Sequence, residues 1–179
     1  NAVGRMIPSC VNGEPVIPFQ GIGKYRVQGK KHAPAIPSCI DFPKDGNKVV
    51  DSIKTALVKA GLKDGMTIST HHHFRNGDLL VNRVFDIAKE MGIKNLRWFP
   101  SASFPCHQHL IPYLEDGTIH HIEGSLNGPL GRFASEGKMR GAAVLRSHGG
   151  RVQAIQDGEV KIDIAVIAAP VADCFGNAN

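Results

Sequence analysis

From Lys48 onward, stretches with helical spacing of apolar residues alternate with short apolar runs. Val49, Val50, Ile53, Ala56, Leu57 and Ala60 share one face of a 3.6-residue period, and Gly61 is its stop. After the Lys63-Asp64-Gly65 turn, "MTIST" reads as a strand. Leu79, Leu80, Val84, Phe85, Ile87, Ala88 and Met91 then form the stripe of a second helix, closed by Gly92. The alternation continues with "NLRWF" as strand, "HLIPYLED" as a short helix and "TIHHIEG" as strand. "GRFASEG" predicts a helical turn or two, "AAVLRS" a strand, "GGRVQAIQDG" a helix, and "KIDIAVIAAP" a strongly apolar last strand. Strands alternating with helices across short glycine-containing turns predict an α/β domain whose mainly parallel sheet is flanked by helices on both faces.

Residues 1–43 have a different texture. They hold six of the eleven prolines and no sustained period. Proline removes a backbone donor and pushes its predecessor toward extended conformations, so this stretch reads as an arm with at most short edge strands. The expected organisation is an arm at 1–43 and an α/β domain at 44–179. The sequence stops at "DCFGNAN", in the loop after its most apolar strand, which reads as the first half of a longer chain.

Composition narrows the classes. With 179 residues, 42% of them hydrophobic, the chain can bury one core. No apolar run approaches the ~20 residues of a membrane span, and no signal peptide is evident, so the expectation is a cytoplasmic protein without a membrane segment. Cys10, Cys39, Cys106 and Cys174 are widely spaced, without a Cys-x-x-Cys pair, and read as reduced thiols. The net charge of +5 suits an anionic partner. Scattered basic residues and the absence of an aromatic-rich strand argue against nucleic acid.

Ligands of open parallel sheets bind beyond the carboxyl ends of the strands, which singles out three segments. In "THHHFRNGD" the free N–H groups of a helix start and Arg75 would attract an anion, with Asp78 as helix N-cap. The histidines there have three readings: metal ligands, hydrogen-bonding or acid–base groups, or structural residues. Side chains alternate at a strand end, so only His71 and His73 would converge, and no metal is expected. In "RSHGGRVQAI", His148, Gly149, Gly150 and Arg151 open a helix, where two glycines permit close approach of a ligand. The spacing is neither a dinucleotide fingerprint nor a Walker loop. The third segment, "APVADCFGNAN", offers Asn177 beside Asp173. His107 and His109 resemble a ligand pair but are equally explained by a capped short helix, and His120 and His121 should face opposite sides of a strand.

The stretches "GLKDGMTISTHHHFRNGDLLVN", "HGGRVQAIQDGEVKIDIAVIAAP" and "DCFGNAN" resemble the first part of the citrate lyase alpha chain family, as does the opening "NAVGRMIP" with "NGEPVIPFQG". The resemblance implies a CoA-transferase-like α/β open sandwich and citrate CoA-transferase activity. Citrate would displace acetate from acetyl-acyl carrier protein, giving citryl-acyl carrier protein. By this resemblance His72-His73-Phe74 takes the place of the Gly-Gly-Phe of related transferases. It implies His73 and Arg75 as catalytic residues, with His72, Asn76, Gly77, His148, Gly149, Gly150, Arg151 and Asn177 binding substrate or cofactor. The thiol would be a phosphoribosyl-dephospho-CoA group, CoA-like, on the acyl carrier protein (gamma chain), and the beta chain would complete an oligomeric complex. A non-catalytic module for a phosphorylated ligand or partner, and a metal-dependent hydrolase, are the alternatives from other classes.

Overall fold

The computed structural model describes residues 6–11, 13–16, 46–72 and 74–179. The chain divides into two compact units, Asn1–Lys31 and His32–Asn179. In the first, β1 (Cys10–Val11) and β2 (Glu14–Pro15) pair antiparallel. Gly13 between them takes φ 84°, the left-handed conformation glycine adopts without cost. The predicted boundary at residue 43 lies outside the described residues.

The second unit is built on five parallel strands: β3 (Thr67–Thr70), β4 (Leu96–Pro100), β5 (Ile119–Gly124), β6 (Ala143–Leu145) and β7 (Ile164–Val166). Their order is β6-β5-β4-β3-β7. Between them run α1 (Ile53–Lys59), α2 (Leu79–Glu90), α3 (Ile111–Glu115), α4 (Gly128–Ser135) and α5 (His148–Gln156). Two 3₁₀-helices, Arg75–Gly77 and Pro105–Leu110, precede α2 and α3.

Because β3 to β6 step in one direction, right-handed crossovers place α2, α3 and α4 on one face. That face carries the main core, in which Ile68, Leu96, Trp98, Ile119 and Ile122 pack against Val84, Phe85, Leu114 and Leu130, all buried. Trp98 lies fully buried, edge-on to Phe85 at 5.8 Å, and its indole N–H donates to Thr70 Oγ1 at 2.9 Å. The last crossover, from β6 back across the sheet to β7, runs the other way and puts α5 on the opposite face. There Phe99, Ala154 and Val160 form a small second core. The expectation of helices on both faces is met unevenly: three helices and α1 serve one face, α5 alone the other.

Several boundaries differ from the sequence pattern. Helix α1 starts at Ile53 rather than near Lys48, because the Ser52 hydroxyl accepts from the Thr55 N–H and caps the helix there; Val49 is exposed. The short helix predicted at 109–116 is a 3₁₀ turn from Pro105 that becomes α-helical at Ile111, and α4 begins three residues early, at Gly128-Pro129. The apolar run 161–170 forms only a three-residue edge strand, with Ile167 67% exposed. Its composition suits a central strand, but the switch in winding direction leaves it next to β3 with no described strand beyond it.

The register also corrects the reading of "TIHHIEG". Leu96 pairs with Ile119 and Arg97 with His121, so His120 is an extra residue, a β-bulge. The bulge puts Ile119 and Ile122, three apart, in the same core. The carbonyl of His120 lies where a Cβ on Gly141 would stand, which explains glycine at that position.

Candidate active site

All five strands point the same way, so the loops after them share one edge. Winding reverses between β3 and β7, the crevice where open α/β sheets hold ligands. Two of the three predicted segments follow β3 and β6, and the third follows β7.

The β3 strand ends at Thr70, so strand alternation no longer governs the next residues. Instead of pointing apart, His71 and His72 stack with ring centroids 5.0 Å apart. Ser101, just beyond β4, orients His72: its Oγ accepts the His72 backbone N–H at 3.0 Å and lies 2.6 Å from ring Nδ1. The ring then meets Phe104 at 5.9 Å and, edge to face, His148 at 6.0 Å. His73 lies outside the described residues. Phe74 and Arg75 are exposed, and Arg75 has φ 50°, an unusual conformation for a residue with a side chain. Asn76 turns its amide oxygen to the Cys106 N–H at 2.9 Å, and Gly77 faces open space. Asp78 caps α2, as predicted, its carboxylate accepting from the Val81 N–H.

The second segment opens α5. Ser147 Oγ accepts from the Gly150 N–H at 3.0 Å, and a Cβ on Gly149 would meet nothing within 4 Å. Arg151 is turned inward. Its guanidinium donates to Ser69 Oγ at 2.6 Å and to the Phe99 carbonyl at 3.1 Å, and sits 4.6 Å from the Phe99 ring centroid. Burial works against its charge, and its Nε is buried without a partner. These bonds draw the start of α5 over the carboxyl ends of β3 and β4, which is how His148 reaches His72. In the third segment Asn177 serves a local turn: its backbone and side-chain N–H groups donate to Asp173 at 2.9 and 2.7 Å.

Three features escaped the sequence reading. Ser101 is one: a small polar residue after a strand carries no periodic signal. Glu123 is another, 3% exposed at the penultimate position of β5. Arg146 forms an ion pair with it, and Arg97 at 3.4 Å and His121 at 3.1 Å complete the cluster. Burial alone would raise its carboxyl pKa, but Arg146 and His121 outweigh burial and hold it below the usual range. The third is the contact of the buried Asn82 with the half-buried Cys106, beside the buried His107. His107 is 1% exposed, accepts the Phe104 N–H at Nδ1, and lies 3.7 Å from Asp78 Oδ2. His109 instead reaches Asp86 on the surface at 2.6 Å. Among the described residues no three His, Cys, Asp or Glu side chains converge as metal ligands, and no helix is long and apolar enough to cross a membrane.

An open parallel sheet, with His72, His148 and a glycine-rich helix start brought together beyond its strand ends, defines an α/β domain with a candidate site at that edge. The family model for the alpha subunit of citrate lyase (CitF) matches residues 46–179. The chain is 46% identical over 133 residues to the citrate lyase alpha chain of Klebsiella pneumoniae and 43% identical to that of Escherichia coli K12. Each alignment covers 74% of this chain and 26% of the relative. A crystal structure from Streptococcus mutans, described as an alpha subunit of citrate lyase in complex with citrate, superposes with a TM-score of 0.76 at 39% identity. That match covers 87% of this chain and 30% of the other. The chain belongs to the citrate lyase alpha subunit family, and it spans about a quarter of the length of the curated relatives it matches.

Proposed function

We propose that this chain contributes to a citrate CoA-transferase, the alpha subunit of citrate lyase, which exchanges the acyl group of acetyl-acyl carrier protein for citrate. A citrate carboxylate attacks the thioester carbonyl and displaces the carrier thiolate, giving a mixed anhydride; the thiolate then attacks the citryl carbonyl, and acetate leaves as citryl-acyl carrier protein forms. Such a site must hold a polyanion and stabilise negative charge on the thioester oxygen. The observation that carries the reading is the meeting of His72 and His148, which brings the Arg75 loop and the start of α5 to one edge of the sheet. The citrate-bound relative from Streptococcus mutans supports the choice of ligand.

In this reading Arg75 and His73 hold carboxylates of citrate, and His72, fixed by Ser101, donates to a substrate oxygen. The N–H groups of His148 and Gly149 serve an oxyanion or phosphate, since that of Gly150 is taken by Ser147. Arg151 and Asn76 act by positioning these loops, and Gly77 leaves room for the ligand. Asn177 shapes the loop after β7. The arm at 1–43 and the domain at 44–179 remain the proposed organisation. The thioester partner is an acyl carrier protein bearing a phosphoribosyl-dephospho-CoA group, for which a basic chain of net charge +5 is suited. The beta and gamma chains are the proposed partners in a cytoplasmic complex.

The test is acyl exchange by a full-length alpha chain carrying this sequence, with acetyl-acyl carrier protein and citrate, followed by mass spectrometry of the carrier. Citryl-carrier should form with the wild type and fall sharply with Arg75→Ala. No citryl-carrier from a folded wild-type chain would refute the transferase reading.

A further inference from the structure

Arg75 is held in its left-handed conformation from outside its own loop. The start of the 3₁₀-helix at Pro105 packs against it, and Cys106 is the point of contact. The Cys106 N–H donates to Asn76 Oδ1 at 2.9 Å, and its thiol faces the carbonyl oxygens of Arg75 at 3.7 Å and Asp78 at 3.8 Å. The Cys106 carbonyl is in turn fixed by Asn82, whose amide donates to it at 3.0 Å. Asn82 is an odd occupant of its position. It lies in the apolar stripe of α2, 7% exposed between Val81 and Val84, and its own Oδ1 is buried with no hydrogen-bond partner. An apolar residue of the same size would satisfy the core better, because a half-satisfied buried amide is unfavourable.

We infer that Asn82 is a positioning residue for the anion site: through Cys106 and Asn76 it fixes the turn that presents Arg75 to substrate. The chain of contacts runs from Asn82 Nδ2 to the Cys106 carbonyl, and from the Cys106 N–H and thiol to Asn76 and the Arg75 carbonyl. Each link joins the turn to α2 or to the 3₁₀-helix, both anchored in the main core. A guanidinium on an exposed loop would otherwise lose rotational and backbone freedom on binding, which weakens the complex. The inference rests on Arg75 being a citrate ligand.

The experiment compares full-length alpha chain with its Asn82→Leu and Arg75→Ala variants by citrate titration calorimetry, exchange kinetics and thermal unfolding. Asn82→Leu removes the unpartnered buried oxygen, so the melting temperature should hold or rise. The Kd and KM for citrate should rise roughly fivefold, the loss expected from one positioning hydrogen bond, while KM for the acetyl-carrier is unchanged. A merely structural asparagine would show the opposite: a lowered melting temperature with citrate affinity intact. If Arg75→Ala raises Kd and Asn82→Leu does not, the positioning role is wrong. If Arg75→Ala leaves Kd unchanged, the reading of Arg75 as ligand fails first, and the inference with it. Should Asn82→Leu fail to fold, Asn76→Ala breaks the same chain of contacts at its next link, by removing the acceptor of the Cys106 N–H. A raised Kd for citrate supports the inference and an unchanged one overturns it.

Discussion

His72 and His148 meet edge to face at 6.0 Å although the strands before them, β3 and β6, are separated in the sheet by β4 and β5. The contact exists because α5 leans across the strand ends, drawn there by the bonds of Arg151 to Ser69 and Phe99. Two loops that the order of strands keeps apart become the two sides of one candidate site.

The exposed Arg75 is expected to act on ligand and not on the fold. In the full-length chain Arg75→Ala should weaken citrate binding by roughly 1.5–3 kcal/mol, the loss of one charge-assisted bidentate contact, with the urea midpoint unchanged. Calorimetric titration with citrate measures this, and unaltered affinity would remove Arg75 from the site.

Arg151 should behave in the opposite way. Arg151→Met keeps contact with the Phe99 ring but loses two hydrogen bonds, and is expected to cost about 2 kcal/mol of stability in urea unfolding. Faster amide exchange in α5 would localise the effect. A variant as stable as the parent would show that the inward bonds contribute nothing.

Gly124 ends β5 at φ 157°, and a Cβ there would overlap the carbonyl oxygen of Pro100 on β4. Because the obstacle is backbone and not a movable side chain, Gly124→Ala should destabilise by at least about 3 kcal/mol. Circular dichroism melts of the variant give the measurement, and a shift within error would show that β4 and β5 can separate at their ends.

His107 sets an acid limit on stability. Burial holds its pKa below the ordinary value, against a smaller opposing pull from Asp78. The unfolded chain takes up a proton near pH 6.5 while the folded chain resists it, so the unfolded state binds more protons in that window. Stability is therefore full above about pH 6.5 and declines as pH falls from there toward the folded value. Urea midpoints across that range should show the slope, and His107→Gln, which keeps an acceptor for the Phe104 N–H, should flatten it. An unchanged slope in the variant would assign the acid sensitivity elsewhere.

The parts legible in the sequence are those carried by period and position. The stripe of α2 with its Asp78 cap, the parallel alternation, and the two segments after β3 and β6 all follow from spacing. Direction is what spacing does not convey. Arg151 occupies the first turn of a helix, where ligand-binding arginines also sit, and only the packed structure shows its guanidinium turned inward to Ser69. The bulge at His120 and the amide of Asn82 are likewise choices made by neighbouring strands and helices. The length of β7 departs from the apolar pattern for a related reason: apolar composition reports burial by anything, and among the described residues β7 pairs only with β3.

That pairing has a consequence for the order of assembly. Strands β3, β4 and β5 each pair with the next strand in the chain, so the four from β3 to β6 can zip together through short crossovers. Joining β7 to β3 closes a far larger loop for three residue pairs, Ile68 with Ile164, Ser69 with Ala165 and Thr70 with Val166. Loop closure of that size is entropically unfavourable until the remaining structure is in place. The crevice between β3 and β7 is thus expected to form last in the domain and to open first. A ligand seated there acts as a clasp, and its binding should slow amide exchange in β7 before that of any strand in the centre of the sheet.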